Sequence, residues 1–122
     1  MAGLLIATAS PALAENPDET RIALQASMQR HIDRSTVDGA ILSIDMETGA
    51  LRKYFPTKAH RLVLKGKDYF VLCADLRDED GKSVPIDYYM AADGKRFKIF
   101  RTEIGNRAPL KALMKSGAVS KY

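Results

Sequence analysis

The side chains that could carry chemistry in this sequence are few and scattered. Its two histidines are His31 and His60, and its single cysteine is Cys73. A zinc site needs three or four convergent ligands at recognisable spacing, and these three residues do not supply one. Cys73 lies within the apolar run Tyr69-Phe70-Val71-Leu72-Cys73-Ala74. A catalytic thiol needs a nearby base and an accessible, electropositive setting, so Cys73 reads as a small core residue. The acidic stretch Asp78-Glu79-Asp80-Gly81 invites a calcium-loop reading. Aligning Gly81 with the loop glycine puts Leu76 at the first ligand position and Asp87 where a glutamate belongs, and the match fails. Gly49, Gly66, Gly81 and Gly94 stand alone, so there is no phosphate-cradling run. Ser83 and Ser116 lack the flanking pattern of a nucleophile elbow. Asp75 and Asp87 are two among 15 acids, too little to assign an acid–base pair. No catalytic, metal-binding or cofactor-binding residue is assigned, and a non-catalytic role is expected.

Charge is distributed with more shape. Residues 15–47 are net −4, residues 48–67 net +6, residues 68–93 net −5 and residues 94–122 net +7. The stretch from Thr48 to Lys67 has no acid at all. Its six cations, Arg52, Lys53, Lys58, Arg61, Lys65 and Lys67, are candidate contacts for a protein partner or an anionic envelope component. That reading gains if the fold joins the two basic segments into one face. The plain structural alternative is a sheet edge guarded by lysine against aggregation. Nucleic acid is not expected, because no aromatic–basic signature of a known module is present. A second functional expectation is a pocket between helix and sheet, lined by Tyr69, Tyr88 and Phe97 and holding a small apolar ligand.

The elements that must position these residues follow from periodicity. Asn16 can cap a helix, Pro17 suits its first position, and Asp18 and Glu19 suit its positive end. Leu24, Met28 and Ile32 form one apolar stripe along it, and Asp38-Gly39 is read as its end. From Ala40 the period becomes two. Strands are expected over 40–46, 50–55, 60–64, 69–76, 84–91 and 96–104, with Pro56 ending the second. The strand Tyr69–Leu76 is apolar on both faces and belongs at the centre. Pro109–Lys115 reads as a short helix closed by Gly117, and residues 118–122 as a frayed tail. Short turns between consecutive strands predict an antiparallel meander covered by the long helix, an α+β fold. Hydrophobic content of 46% argues against disorder, and 122 residues hold one domain.

The first residues read differently. Met1–Ala14 is uncharged, apolar from Gly3 to Ala9, broken by Pro11 and closed by Ala12-Leu13-Ala14. Small residues at both ends of that triplet are what signal peptidase accepts, so cleavage after Ala14 and a periplasmic or secreted domain over 15–117 are expected. No Lys or Arg precedes the apolar run, so the true start of the leader is expected to lie upstream. Nothing approaches the roughly 20 apolar residues of a spanning helix. A lone cysteine forms no intrachain disulfide.

One helix followed by a curled sheet of hairpins resembles the cystatin-like group of folds. The stretch Ile44-Asp45-Met46-Glu47-Thr48-Gly49-Ala50-Leu51 also resembles the D-x-x-T-G hairpin of small exported PepSY-type domains. The mature chain is similar in character to small exported bacterial proteins. The resemblance implies the fold and an envelope location; it implies no activity and no site residue.

Overall fold

The computed structural model describes residues 16–122. The leader, its cleavage position and Glu15 lie outside the described residues. Helix α1 spans Pro17–Ser35. The Asn16 side-chain oxygen accepts hydrogen bonds from the N–H groups of Asp18 and Glu19 at 3.1 and 3.2 Å, which satisfies two of the helix's orphan donors. Leu24, Met28 and Ile32 are buried along one stripe.

The helix stops sooner than the sequence predicts. Strand β1 (Thr36–Val37) follows at once and pairs with β2 (Ala40–Ile44). Asp38 and Gly39 between them have φ of 52° and 82°. Two consecutive positive φ values are what a two-residue type I′ hairpin requires. Asp-Gly satisfies that turn as readily as it satisfies a helix end, which is why the boundary moved.

The next hairpin is built by Asp45. Its Oδ1 accepts from the N–H groups of Glu47 and Thr48, its carbonyl accepts from Gly49, and its Oδ2 binds Arg52 at 3.1 Å. The D-x-x-T-G stretch is thus explained by turn chemistry. Strand β3 then runs unbroken over Leu51–Lys65. Pro56 does not end it, contrary to the sequence reading, and pairs with Leu76. The pairing of β2 with β3 stops at Ile41–Tyr54, so one side of β3 is already free at Pro56. Register shifts follow between Pro56 and Lys58 and between Ala59 and Val63. A proline is tolerated at an open edge or a bulge, because no ladder N–H is lost there. The two expected strands are one.

Strands β4 (Phe70–Arg77), β5 (Ser83–Asp93) and β6 (Arg96–Ile104) complete an antiparallel meander in the order β1-β2-β3-β4-β5-β6. The two faces of the sheet are both covered. Leu72, Ala74 and Leu76 of β4 join Ile86, Tyr88 and Met90 of β5 under α1. Val71 and Cys73 face the other way and meet Leu64, Tyr89, Leu110 and Val119. Leu110 belongs to helix α2 (Ala108–Ser116), which Gly117 closes in the left-handed conformation. The fold is therefore α+β, a long N-terminal helix on an antiparallel meander with a short C-terminal helix.

The last five residues, read as a frayed tail, are docked. Ser120–Lys121 forms β7, which pairs with Leu64 and Lys65 of β3. The Tyr122 N–H donates to the Val63 carbonyl at 2.9 Å, and its ring meets Phe70 edge to face. Buried Val119 and this ring give the segment its apolar hold. Among the described residues, no helix is long and apolar enough to cross a membrane.

Candidate functional site

The face carrying α2 holds the groove with the most apolar lining. A bulge in β6 shapes it. Tyr89 pairs with Arg101 and Met90 with Ile99, so Phe100 is left without a register partner. The extra residue lets two consecutive side chains, Phe100 and Arg101, line the same groove. Tyr69, Tyr89 and Phe100 form a triangle of rings with centroids 6.4 to 6.5 Å apart. Opposite them stand Pro109, Ala112, Leu113 and Ser116 of α2, one helical stripe at i, i+3, i+4 and i+7. The groove encloses about 600 Å³ and is open to solvent. Phe100 remains 59% exposed on its rim.

Polar groups border the apolar lining. The Tyr89 hydroxyl is buried with no hydrogen-bond partner among the described residues, and burial, aided by the charge of Asp87, raises its pKa. The Arg101 guanidinium lies 5.8 Å from the Tyr89 ring and binds Glu103. Next to the groove, Asp87 is buried and lies 3.3 Å from Arg107, which precedes α2. Cys73 is the cross-strand neighbour of Asp87. Burial first, then the Asp87 carboxylate across the strand pair, pushes the Cys73 thiol up to about 12. At neutral pH it is a protonated thiol, not a nucleophile.

The structure separates the three residues expected to line one pocket. Tyr69 lines the groove. Tyr88 is buried on the opposite face and touches His31 edge to face. Phe97 packs under α1 and borders a different, polar cleft. The apolar groove lies between sheet and α2, whereas the cleft between sheet and long helix is lined mostly by polar and charged side chains. Tyr89 was missed for Tyr88 because strand alternation does not say which face is left open. The α2 stripe was legible at helical spacing; the bulge that presents Phe100 and Arg101 together was not.

The six candidate cations are all exposed, along β3 and the turn after it. Arg52 is paired with Asp45, and Lys65 sits over the rings of Phe70 and Tyr122 at 5.9 and 5.2 Å. Lys53, Lys58, Arg61 and Lys67 form no ion pair among the described residues. The second basic segment does not merge with them in the sheet, since β4 and β5 separate β3 from β6. Lys121 of β7 alone comes alongside. Between β3 and β4, His60 Nε2 lies 2.9 Å from Asp75 Oδ1. The Thr57 hydroxyl donates to the Asp75 backbone carbonyl at 3.0 Å.

No protein-family model, no curated protein and no solved structure matches the chain.

Proposed function

We propose that this is an exported, non-catalytic binding protein whose ligand is a small, flat, largely apolar molecule held in the groove between Tyr69, β5, β6 and α2. The observation that carries the reading is the ring triangle of Tyr69, Tyr89 and Phe100 facing an apolar helical stripe across about 600 Å³. That volume lies within the roughly 300–1,000 Å³ of small-molecule sites. Aromatic faces favour planar partners, by offset or edge contacts. Export rests on the leader sequence.

The test is titration with N-phenylnaphthylamine, whose emission rises in apolar sites; the protein has no tryptophan to interfere. Saturable binding is expected, weakened roughly tenfold by Phe100→Ala, the scale of an aromatic contact worth about 1.4 kcal/mol. Ala112→Phe, which fills the groove from α2, is expected to abolish it. Non-saturating emission, or equal binding by all three proteins, refutes the reading.

A second reading keeps the basic strand. Lys53, Lys58, Arg61 and Lys67 are exposed without a carboxylate partner among the described residues, which favours contact with an acidic envelope partner. Lys58→Glu with Arg61→Glu is expected to reduce recovery of that partner at low salt, where screening is weakest. Unchanged recovery leaves β3 as a guarded edge.

A further inference from the structure

We infer a second binding site, for a phosphate-bearing ligand with at least two negative charges, in the cleft between α1 and the free edge of β6. It shares no residue with the aromatic groove. Ser27, Arg30, His31 and Arg34 stand on one flank of α1 at i, i+3, i+4 and i+7, beside the buried stripe. Arg96 and Lys98 come from β6, and Phe97 forms the floor where helix meets strand. The cleft has two contiguous lobes of about 670 and 240 Å³ that share Ser27, Arg34, Phe97 and Lys98.

Charge is what singles the cleft out. Arg30, Arg34, Arg96 and Lys98 all border it, and Asp93 is the one carboxylate in its lining. Asp93 binds Lys98 at 3.2 Å. Among the described residues, no carboxylate pairs with Arg30, Arg34 or Arg96. Structural explanations account for parts of this. A cation near a helix C-terminus suits the dipole, which covers Arg34. Basic side chains on an edge strand deter aggregation, which covers Arg96 and Lys98. Neither explains why cations from both helix and strand border one concavity. Like charges held together repel, and a bound anion relieves that repulsion.

The chemistry selects the ligand class. Guanidinium groups bind phosphate through paired N–H donors, a geometry ammonium lacks. Three arginines and a lysine around this volume exceed what one singly charged group can match. Ser27 adds a hydroxyl donor. His31 reports occupancy: burial and the neighbouring Arg34 lower its pKa, with Lys98 also lining its lobe and the Tyr88 ring against it. An anion seated between Arg34 and Lys98 reverses that electrostatic contribution.

Pyrophosphate is the probe, followed by NMR of the His31 ring at low salt. Saturable movement of those signals is expected, with the His31 titration shifted to higher pH. Arg34→Glu with Arg96→Glu changes exposed side chains and leaves the fold intact, checked by the unfolding midpoint. It is expected to weaken binding at least tenfold, as for removal of paired charges. Lys58→Glu with Arg61→Glu on β3 is expected to leave it unchanged. A parallel arm uses vesicles of phosphatidylglycerol in phosphatidylcholine. Vesicle binding lost in the Arg34/Arg96 variant, without pyrophosphate binding, assigns the same site to a lipid headgroup. Binding of neither probe, or binding equal in wild type and the Arg34/Arg96 variant, overturns the inference.

Discussion

Asp87 is the one charged side chain that is fully buried among the described residues. Its partner Arg107 sits 3.3 Å away, and neither Asp87 oxygen accepts a well-formed hydrogen bond among the described residues. Removing one member of such a pair strands the other, so Arg107→Ala is expected to cost about 3 kcal/mol in urea unfolding. Replacing both, as Asp87→Leu with Arg107→Met, is expected to cost less than Arg107→Ala alone. The reverse order would show that Arg107 holds its loop by something other than charge. His31 gives a pH signature. Its folded pKa lies below its unfolded value of about 6.5. Above that value the imidazole is neutral in both states and costs nothing. As pH falls through 6.5 toward the lower folded pKa, the unfolded chain binds the proton more readily and stability drops. Arg34 on its own helix, Tyr88 from β5 and Lys98 from β6 surround it. His31→Gln is expected to remove part of the fall in urea midpoint between pH 8 and pH 5. Identical slopes for the two proteins would contradict the depressed pKa. Of these residues, the sequence supports Cys73 as a core position, because its neighbours are apolar. It gives no hint of Asp87 and Arg107, whose pairing depends on a loop folding back over β5.

Elements with local signals were legible. Helix α1 carries its own cap and stripe. Strand β4 is apolar on both faces, and Leu72 is indeed fully buried at the sheet centre. Errors arose where a signal has two structural meanings. Asp38-Gly39 suits a helix end or a type I′ hairpin, and the choice was made by the pairing of Thr36–Val37 with Ala40–Ile41. Pro56 forbids a ladder donor, yet β3 passes through it because β2 has already ended. The final segment has no periodicity, and only contact with β3 orders it. Deleting residues 119–122 is expected to lower stability by roughly 2–4 kcal/mol, since burying a single side chain of Val or Phe size is worth about 1.5–3 kcal/mol. Unchanged urea unfolding would restore the frayed-tail reading.

For the whole molecule, the fold class follows from the order of elements, while both candidate sites arise from their meeting. The groove joins Tyr69 ahead of β4 with β5, β6 and α2; the cleft joins α1 and β6. Composition flagged residues 94–122 as basic but could not pair Arg96 and Lys98 with Arg30 and Arg34, some 60 residues earlier in an acidic segment. Location belongs to this scale too. Chain recovered from the envelope fraction is expected to begin at Glu15 by N-terminal sequencing; chain starting at Met1 in the cytoplasm would refute export.

The two ends of the described chain are tied together. The Tyr122 carbonyl accepts from Arg21 on the first turns of α1 at 3.2 Å, and the Tyr122 ring lies between Arg21 and Lys65. Synthesis delivers these partners about 100 residues apart in sequence, so the clasp forms only after the whole meander has emerged. Until then β3 lacks its β7 neighbour and α1 lacks its carbonyl anchor. A chain that emerges vectorially, whether from a ribosome or through a membrane channel, therefore reaches its native topology last at the place where it begins. Contacts of such long separation slow folding, so this clasp is the late step in assembling the sheet and its covering helix.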